Sequence, residues 1–256
     1  VLDRQGADAV RWYFYTGSAP WLPSRFSDDA VSEHQRKFMG TLWNTYAFYI
    51  MYANIDGFTP AGRRLDRGSL SVLDRWILSR LNTLIRKVDE QLERYDITAS
   101  ARAISSFTDD LSNWYVRRSR ERFWQPEMNQ DKINAYMTLY TVLENMTRLI
   151  APFTPFMAEA MYRNLARGAG GGWPESVHLC DFPASDPDMV DSRLEKIMAD
   201  VLRLVTMGRA ARNTAAIKNR QPLQQMLIVA PERLPEEYNA LVADELNVRG
   251  LVYLDS

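Results

Sequence analysis

Cysteine and histidine are scarce in this sequence. Cys180 is the single cysteine and His34 and His178 the only histidines among 256 residues. One thiol excludes an internal disulfide and any zinc site built from several thiolates. Neither histidine has a cysteine or carboxylate at ligand spacing, so both read as ordinary surface or core residues. No apolar run approaches the roughly 20 residues a membrane helix needs, and no membrane partner is expected. The lone cysteine and the start at Val1, with no leader, suggest a cytoplasmic setting and a piece of something longer. Also missing are a glycine-rich phosphate loop after a strand and a Gly-x-Ser-x-Gly elbow. Asp28-Asp29, Asp109-Asp110 and Glu236-Glu237 are adjacent carboxylates, which do not face each other on a helix. They read as caps and solvated surface. No catalytic residue, metal ligand or cofactor-binding residue is predicted.

What is present is a balanced, globular composition. Hydrophobic residues make up 46% and charged residues 25%, with a formal net charge of −1. Such a chain is no polycation, so any nucleic-acid contact has to be a local basic patch. Apolar residues recur at helical spacing over most of the first two thirds. A short helix is expected from Asp8 to Gly17, with Val10 and Phe14 on its buried side and Trp12 or Tyr13 as further candidates, before Pro20 and Pro23 break the chain. Ser27 should cap a long helix to about Ile55, with Phe38, Leu42, Tyr46, Tyr49 and Ala53 inside. Trp43 or Tyr52 could offer a ring to a base, although core packing is the plainer reading. Further helices are expected over Val72–Tyr95, with Trp76, Leu81 or Leu84, Val88, Leu92 and Tyr95 on the buried side, over Thr98–Trp124, and over Asp131–Ile150 with Asp131 as its cap. Thr154 as N-cap and Pro155 at the first helical position start another.

After the glycines at 168 and 170–172 the pattern changes. Residues 176–182 alternate like a strand, a helix runs to about Ala216, and strands near Leu227–Val229 and Val248–Leu254 flank another helix. The fold class predicted is mainly α: an antiparallel helical bundle followed by a small α/β subdomain. Its parts are a connector over 1–26, a bundle over 27–183 and the α/β part over 184–256.

The most informative stretch is Asn113-Trp114-Tyr115-Val116-Arg117-Arg118-Ser119-Arg120-Glu121-Arg122-Phe123-Trp124. The apolar stripe Ile104, Phe107, Leu111 and Trp114 or Tyr115 runs onto Arg117 and Arg118 rather than onto another aliphatic residue. Guanidinium groups beside aromatic rings suit phosphates and unpaired bases. The bland alternative is a solvated helix end whose arginines lie over aromatics. Arg203, Arg209, Arg212, Lys218 and Arg220 form a weaker basic set that reads as ordinary helix surface.

Three motifs occur in order at bundle-like intervals: Asp74-Arg75-Trp76-Ile77-Leu78-Ser79-Arg80-Leu81-Asn82, the Asn113–Trp124 run, and Ala151-Pro152-Phe153-Thr154-Pro155-Phe156. The set resembles the anticodon-binding region of class I aminoacyl-tRNA synthetases of the isoleucine, valine and leucine group. The arginine-rich run, Ile217-Lys218-x-Arg220-Gln221-Pro222-Leu223 and Asp244-Glu245-Leu246-Asn247-Val248 resemble the isoleucyl-tRNA synthetases in particular. Gly6-Ala7-Asp8-Ala9-Val10-Arg11 is similar to a segment that follows the Lys-Met-Ser-Lys-Ser signature in that family. Asn219 departs from the family, which usually has an apolar residue there.

The resemblance implies binding to isoleucine tRNA through its anticodon stem-loop, as a monomer. The implied site is Asn113 on a base edge, Arg117, Arg118, Arg120 and Arg122 on phosphates or bases, and Phe123 and Trp124 as stacking surfaces. It also implies a parent enzyme that uses ATP and magnesium to join isoleucine to tRNA. Neither catalytic signature of that family is present in these residues, so the chain alone is expected to be inactive. The alternatives are the same region of a valyl-tRNA synthetase and a helical protein-interaction scaffold.

Overall fold

The structure, a computed structural model, describes residues 1–254 except 20, 24 and 231. The break expected at Pro20 lies outside the described residues. The chain divides into two compact units, Val1–Val190 and Asp191–Ser256.

The first unit is built of helices whose ends are written in the sequence. They are α1 (Leu2–Gln5), α2 (Ala7–Thr16), α3 (residues 28–56), α4 (Val72–Glu93), α5 (residues 97–124), α6 (Gln130–Ile150) and α7 (Pro155–Gly168). The Ser27 side chain accepts from Ala30 N at 3.2 Å, Asp96 from Ala99 N at 3.1 Å and Asn129 from Lys132 N at 2.9 Å. Each satisfies an amide that the helix itself leaves unpaired. Ser71 and Asp74 cap α4 reciprocally, the Ser71 hydroxyl on Asp74 N and the Asp74 carboxylate on Ser71 N. Gly57, at φ 61°, closes α3 in the left-handed region where a Cβ would be strained. Short connections between α4, α5, α6 and α7 send successive helices in opposite directions. The middle one, α6, is buried nearly all round, with Ala135, Leu139, Val142 and Met146 fully enclosed.

Two family-like motifs fold against each other at the N-terminus. Asp8 on α2 accepts from Met157 N at 2.7 Å and Phe156 N at 3.4 Å, so it caps α7 from a distant part of the chain. Thr154 stands at the N-cap position and Pro155 at N1 as expected, but Thr154 makes no side-chain cap. Arg11 donates to the carbonyls of Pro152 (2.7 Å) and Phe153 (3.1 Å) in the same turn. Arg102 on α5 donates to the carbonyls of Thr16 and Gly17 and closes α2. Residues 1–17 therefore pack into the first unit. Burial raises the Asp8 carboxyl above its ordinary range, against the pull of the two amides and Arg11. Asp8→Ala is expected to cost about 0.5–2 kcal/mol through the lost cap. All seven tryptophans lie in the first unit, so their fluorescence in a denaturant titration reads that loss alone.

Several sequence expectations are corrected. The buried side of α2 is Ala9 with both further candidates, Trp12 and Tyr13, and not Val10 and Phe14; Trp12 stacks on Phe38 with centroids 3.7 Å apart, while Phe14 lies exposed against Phe26. Tyr95, expected on the buried side of α4, is 86% exposed. It falls past the helix end at φ 60°, where Asp96 N reaches back to Gln91 O and turns its side chain out of the stripe. Residues 176–182 are not a strand. Val177–Leu179 form one 3-10 turn, with the Ser176 hydroxyl and Val177 N donating to the Glu159 carboxylate, and among the described residues the only paired strands are those of the second unit. Ser185 and Asp186 bond to Asn82 of α4, which ties this segment to the first unit.

The second unit comprises α8 (Ser192–Thr214), β1 (Met226–Val229), α9 (Glu236–Leu246) and β2 (Leu251–Leu254). The strands pair in parallel, Met226 opposite Leu251 and Val229 opposite Leu254, with α9 as the crossover that parallel strands require. Two more of the recognised motifs meet here. Leu223 N donates to Asn247 O and Arg249 N to Leu223 O, both at 3.0 Å, while the Asn247 amide donates to Arg220 O at 2.9 Å. Arg212, only 4% exposed, donates to the carbonyls of Lys218, Leu246 and Asn247. It is a structural clamp rather than part of a surface patch, and Arg209 is paired with Glu245 at 2.6 Å. Gly208 lets α8 approach α9, since a Cβ there would lie 2.3 Å from Leu246 Cδ1. Gly208→Ala should cost about 1–3 kcal/mol. Hydrogen exchange should speed up over residues 191–254 while the tryptophan transition of the first unit stays put.

Candidate nucleic-acid interface

The arginine-rich run forms the last turns of α5, and a π-helical stretch sets which way each residue faces. Leu111–Val116 are π-helical, with Arg117 N bonded five residues back to Ser112 O. Leu111, Tyr115, Ser119 and Phe123, four apart, are buried, as is Val116 beside Tyr115. Three four-residue steps would rotate the face about 120° round a regular α-helix. The wider π turns take up part of that drift and keep the core face aligned. A constant helical period therefore misreads this region. The buried stripe does not end in arginine but continues through Ser119 and Phe123. The arginines occupy the other faces.

The exposed residues are Asn113, Arg117, Arg120, Glu121 and Trp124. Arg117 Nε donates to Asn113 O at 2.8 Å, and its guanidinium lies 5.9 Å from the Trp114 ring centre. Trp124 is 57% exposed, and its Nε1 donates to the Tyr52 hydroxyl on α3 at 2.7 Å. That bond fixes one edge of the indole and leaves much of the ring in solvent. Arg118 is half-buried on the flank of this face.

Two of the expected site residues are placed elsewhere. Phe123 is 1% exposed and packs edge-on against Phe48 and Tyr136, at 5.0 and 4.8 Å. No base can stack on it there. Arg122 is turned inward as a fork on Asp74, Nη1 to Oδ1 at 2.9 Å and Nη2 to Oδ2 at 2.8 Å. It also donates to the side chain and carbonyl of Asp131 at the start of α6. Tyr115 gives its hydroxyl to the same Asp74 carboxylate at 2.7 Å. Burial alone would raise Asp74, but the Arg122 guanidinium, with help from Tyr115 and Ser71, holds it below the usual carboxylate range. Arg122 is raised in turn by Asp74 and Asp131 against the cost of burial, and stays charged. One arginine thus joins the starts of α4 and α6 to the end of α5.

A second buried cation completes this support. Lys132, 1% exposed, donates to Asp56 Oδ2 at 2.7 Å and to Gln125 O at 2.6 Å. It ties the end of α3 to the residue after Trp124, and Tyr136 gives its hydroxyl to Asp56 as well. Sequence reading missed these partners. The Ser71–Asp74 cap spans three residues, whereas the fork from Arg122 comes from 48 residues away.

Among the described residues no three His, Cys, Asp or Glu side chains gather as metal ligands, and the glycines at 170–172 lead into a 3-10 turn rather than a helix. No helix is long and apolar enough to cross a membrane among the described residues.

Comparison with known proteins agrees with this geometry. The family model described as the anticodon-binding domain of tRNA ligase matches residues 74–227, from the capping aspartate into β1. Isoleucine–tRNA ligases of Clostridium kluyveri and Clostridium novyi are 51% and 53% identical, each over 99% of this chain and 24% of the relative. The Porphyromonas gingivalis isoleucine–tRNA ligase is 45% identical over the whole chain and 22% of its own length. The chain thus spans about a quarter of the curated relatives it matches. In three dimensions it resembles a LeuRS of Agrobacterium radiobacter K84, solved as a ternary complex with tRNA and LeuAMS. The TM-score is 0.56 at 16% identity, over 99% of this chain and 29% of that one, which is a likeness of fold. From a family match over most of its length and a bundle that brings the recognised motifs together, the chain belongs to the anticodon-binding domain family of tRNA ligases, and resembles that region of the isoleucine ligases.

Proposed function

We propose that this chain binds isoleucine tRNA by its anticodon stem-loop, using the outer face at the end of α5. The observation that carries the reading is Trp124, a large ring held by Tyr52 yet 57% exposed, beside the exposed Arg117, Arg120 and Asn113. An anticodon loop presents unpaired bases on a charged backbone. Proteins take such loops by stacking and by hydrogen bonds to base edges. Trp124 supplies the stacking surface, Arg117 and Arg120 supply charge and forked donors, and Asn113 can pair with a base edge. Arg118 contributes from the flank. Arg122 and Phe123 serve by holding the helix in place. The longer relatives are isoleucine–tRNA ligases, so the amino acid attached by a full-length parent would be isoleucine, with ATP and magnesium handled outside these residues.

The test is a titration of the chain against isoleucine and valine tRNA at two salt concentrations. Tighter binding of isoleucine tRNA at both is expected. Preference for the valine tRNA would move the chain to the valine branch. Equal binding that collapses with salt would leave only nonspecific phosphate contact.

A further inference from the structure

The connection between α3 and α4 lies at the same end of the bundle as Trp124, and it is built rather than loose. Phe58 stacks on Tyr136 of α6 with centroids 4.4 Å apart. Thr59 gives its hydroxyl to Gly168 O at the end of α7, at 2.6 Å, and accepts from Ala61 N at 3.2 Å. Arg63 is fixed twice: Nε donates to Thr59 O at 3.2 Å, and the guanidinium lies 5.4 Å from the Phe58 ring centre. Arg64 follows it, and both are exposed, as is Arg167 in the last turn of α7.

The acids of this region are engaged elsewhere. Asp66 caps Gly68 N and takes the Ser69 hydroxyl, Asp56 holds Lys132, and Asp186 pairs with Arg67. Lys132 links this connection to the α5 end, since it joins Asp56, two residues before Phe58, to Gln125, the residue after Trp124. Two exposed arginines therefore stand on a buttressed turn that is mechanically joined to the proposed base-stacking ring. A guanidinium held in place loses less freedom on meeting a phosphate than a loose one does.

We infer that Arg63 and Arg64 grip the phosphate backbone of the tRNA next to the anticodon loop, while the end of α5 takes the unpaired bases. This rests on the proposed anticodon reading. The division of labour is backbone positioning on one loop and base readout on one helix.

The experiment compares the unaltered chain, Arg63→Ala/Arg64→Ala and Arg63→Lys/Arg64→Lys. Each is titrated with isoleucine tRNA and an anticodon-substituted form across a salt series, with tryptophan-monitored unfolding to confirm an intact first unit. The alanine pair is expected to make log Kd against log salt shallower by about two, one for each arginine. Its loss in affinity should be the same for both RNAs, and the lysine pair should keep the slope. An unchanged slope in an intact alanine variant, while the unaltered chain still prefers the matching anticodon, overturns this inference and spares the anticodon reading. A loss that depends on the anticodon also overturns it, because the arginines would then be reading bases. An unaltered chain blind to the anticodon removes the reading beneath and this inference with it.

Discussion

Arg122→Met should destabilise the first unit by about 3–5 kcal/mol. The substitution removes the fork from Asp74, a carboxylate with 0% exposure, and leaves that charge buried against Tyr115 and Ser71 alone. It also frees the Asp131 contacts at the start of α6. The pH dependence separates this cause from simple loss of packing. In the unaltered chain the folded Asp74 titrates below its unfolded value of about 3.9, so its contribution is complete above that pH. It is lost only as pH falls through the lower folded value. Without Arg122, burial dominates and lifts Asp74 above its unfolded value. Its ionisation then opposes folding, and stability falls as pH rises through 4. The gap between the two proteins should accordingly widen from acid to neutral pH in tryptophan-monitored urea titrations. A gap independent of pH would mean that Arg122 acts by shape and not by charge.

Trp124→Ala should weaken binding of isoleucine tRNA by about 1–3 kcal/mol, the range for losing one base–aromatic stack. Stability should change little, because the ring is 57% exposed and its one bond, to Tyr52, is at the surface. Arg117→Ala should cost a similar amount if the guanidinium reads a base edge, with reduced discrimination between anticodons. Phe123→Ala is the contrast. That ring is enclosed by Phe48, Tyr52 and Tyr136, so its removal should cost about 3–5 kcal/mol of stability. Two adjacent aromatic residues therefore part company, one failing in binding and the other in folding. Both are measured by filter binding and urea unfolding on the same preparations.

The difference between these neighbours shows what the sequence could convey. The helix start at Ser27 was legible because capping is local chemistry over three residues, whereas the cap expected at Asp131 falls two residues earlier, on Asn129. The long apolar stripes pointed to the bundle and the change of pattern after the glycines to a small α/β part, while the parallel pairing of its strands came only with the structure. The faces of α5 were not legible, because a π stretch at Leu111–Val116 changes the period and nothing in residue composition announces it. The same limit hid the role of Arg122. Its partners Asp74 and Asp131 come from two other helices, and only the folded bundle brings them within 3 Å. Residues 176–182 alternated like a strand but had no partner strand to pair with. Asp8 looked like a local helix start and instead caps α7 from 149 residues away.

The most direct measurement of the central claim is the ratio of dissociation constants for isoleucine tRNA and the same tRNA carrying a substituted anticodon, at one fixed salt concentration. The account predicts clear preference for the native anticodon in the unaltered chain, and a ratio near one in Trp124→Ala. Equal affinity for both RNAs in the unaltered chain would contradict it.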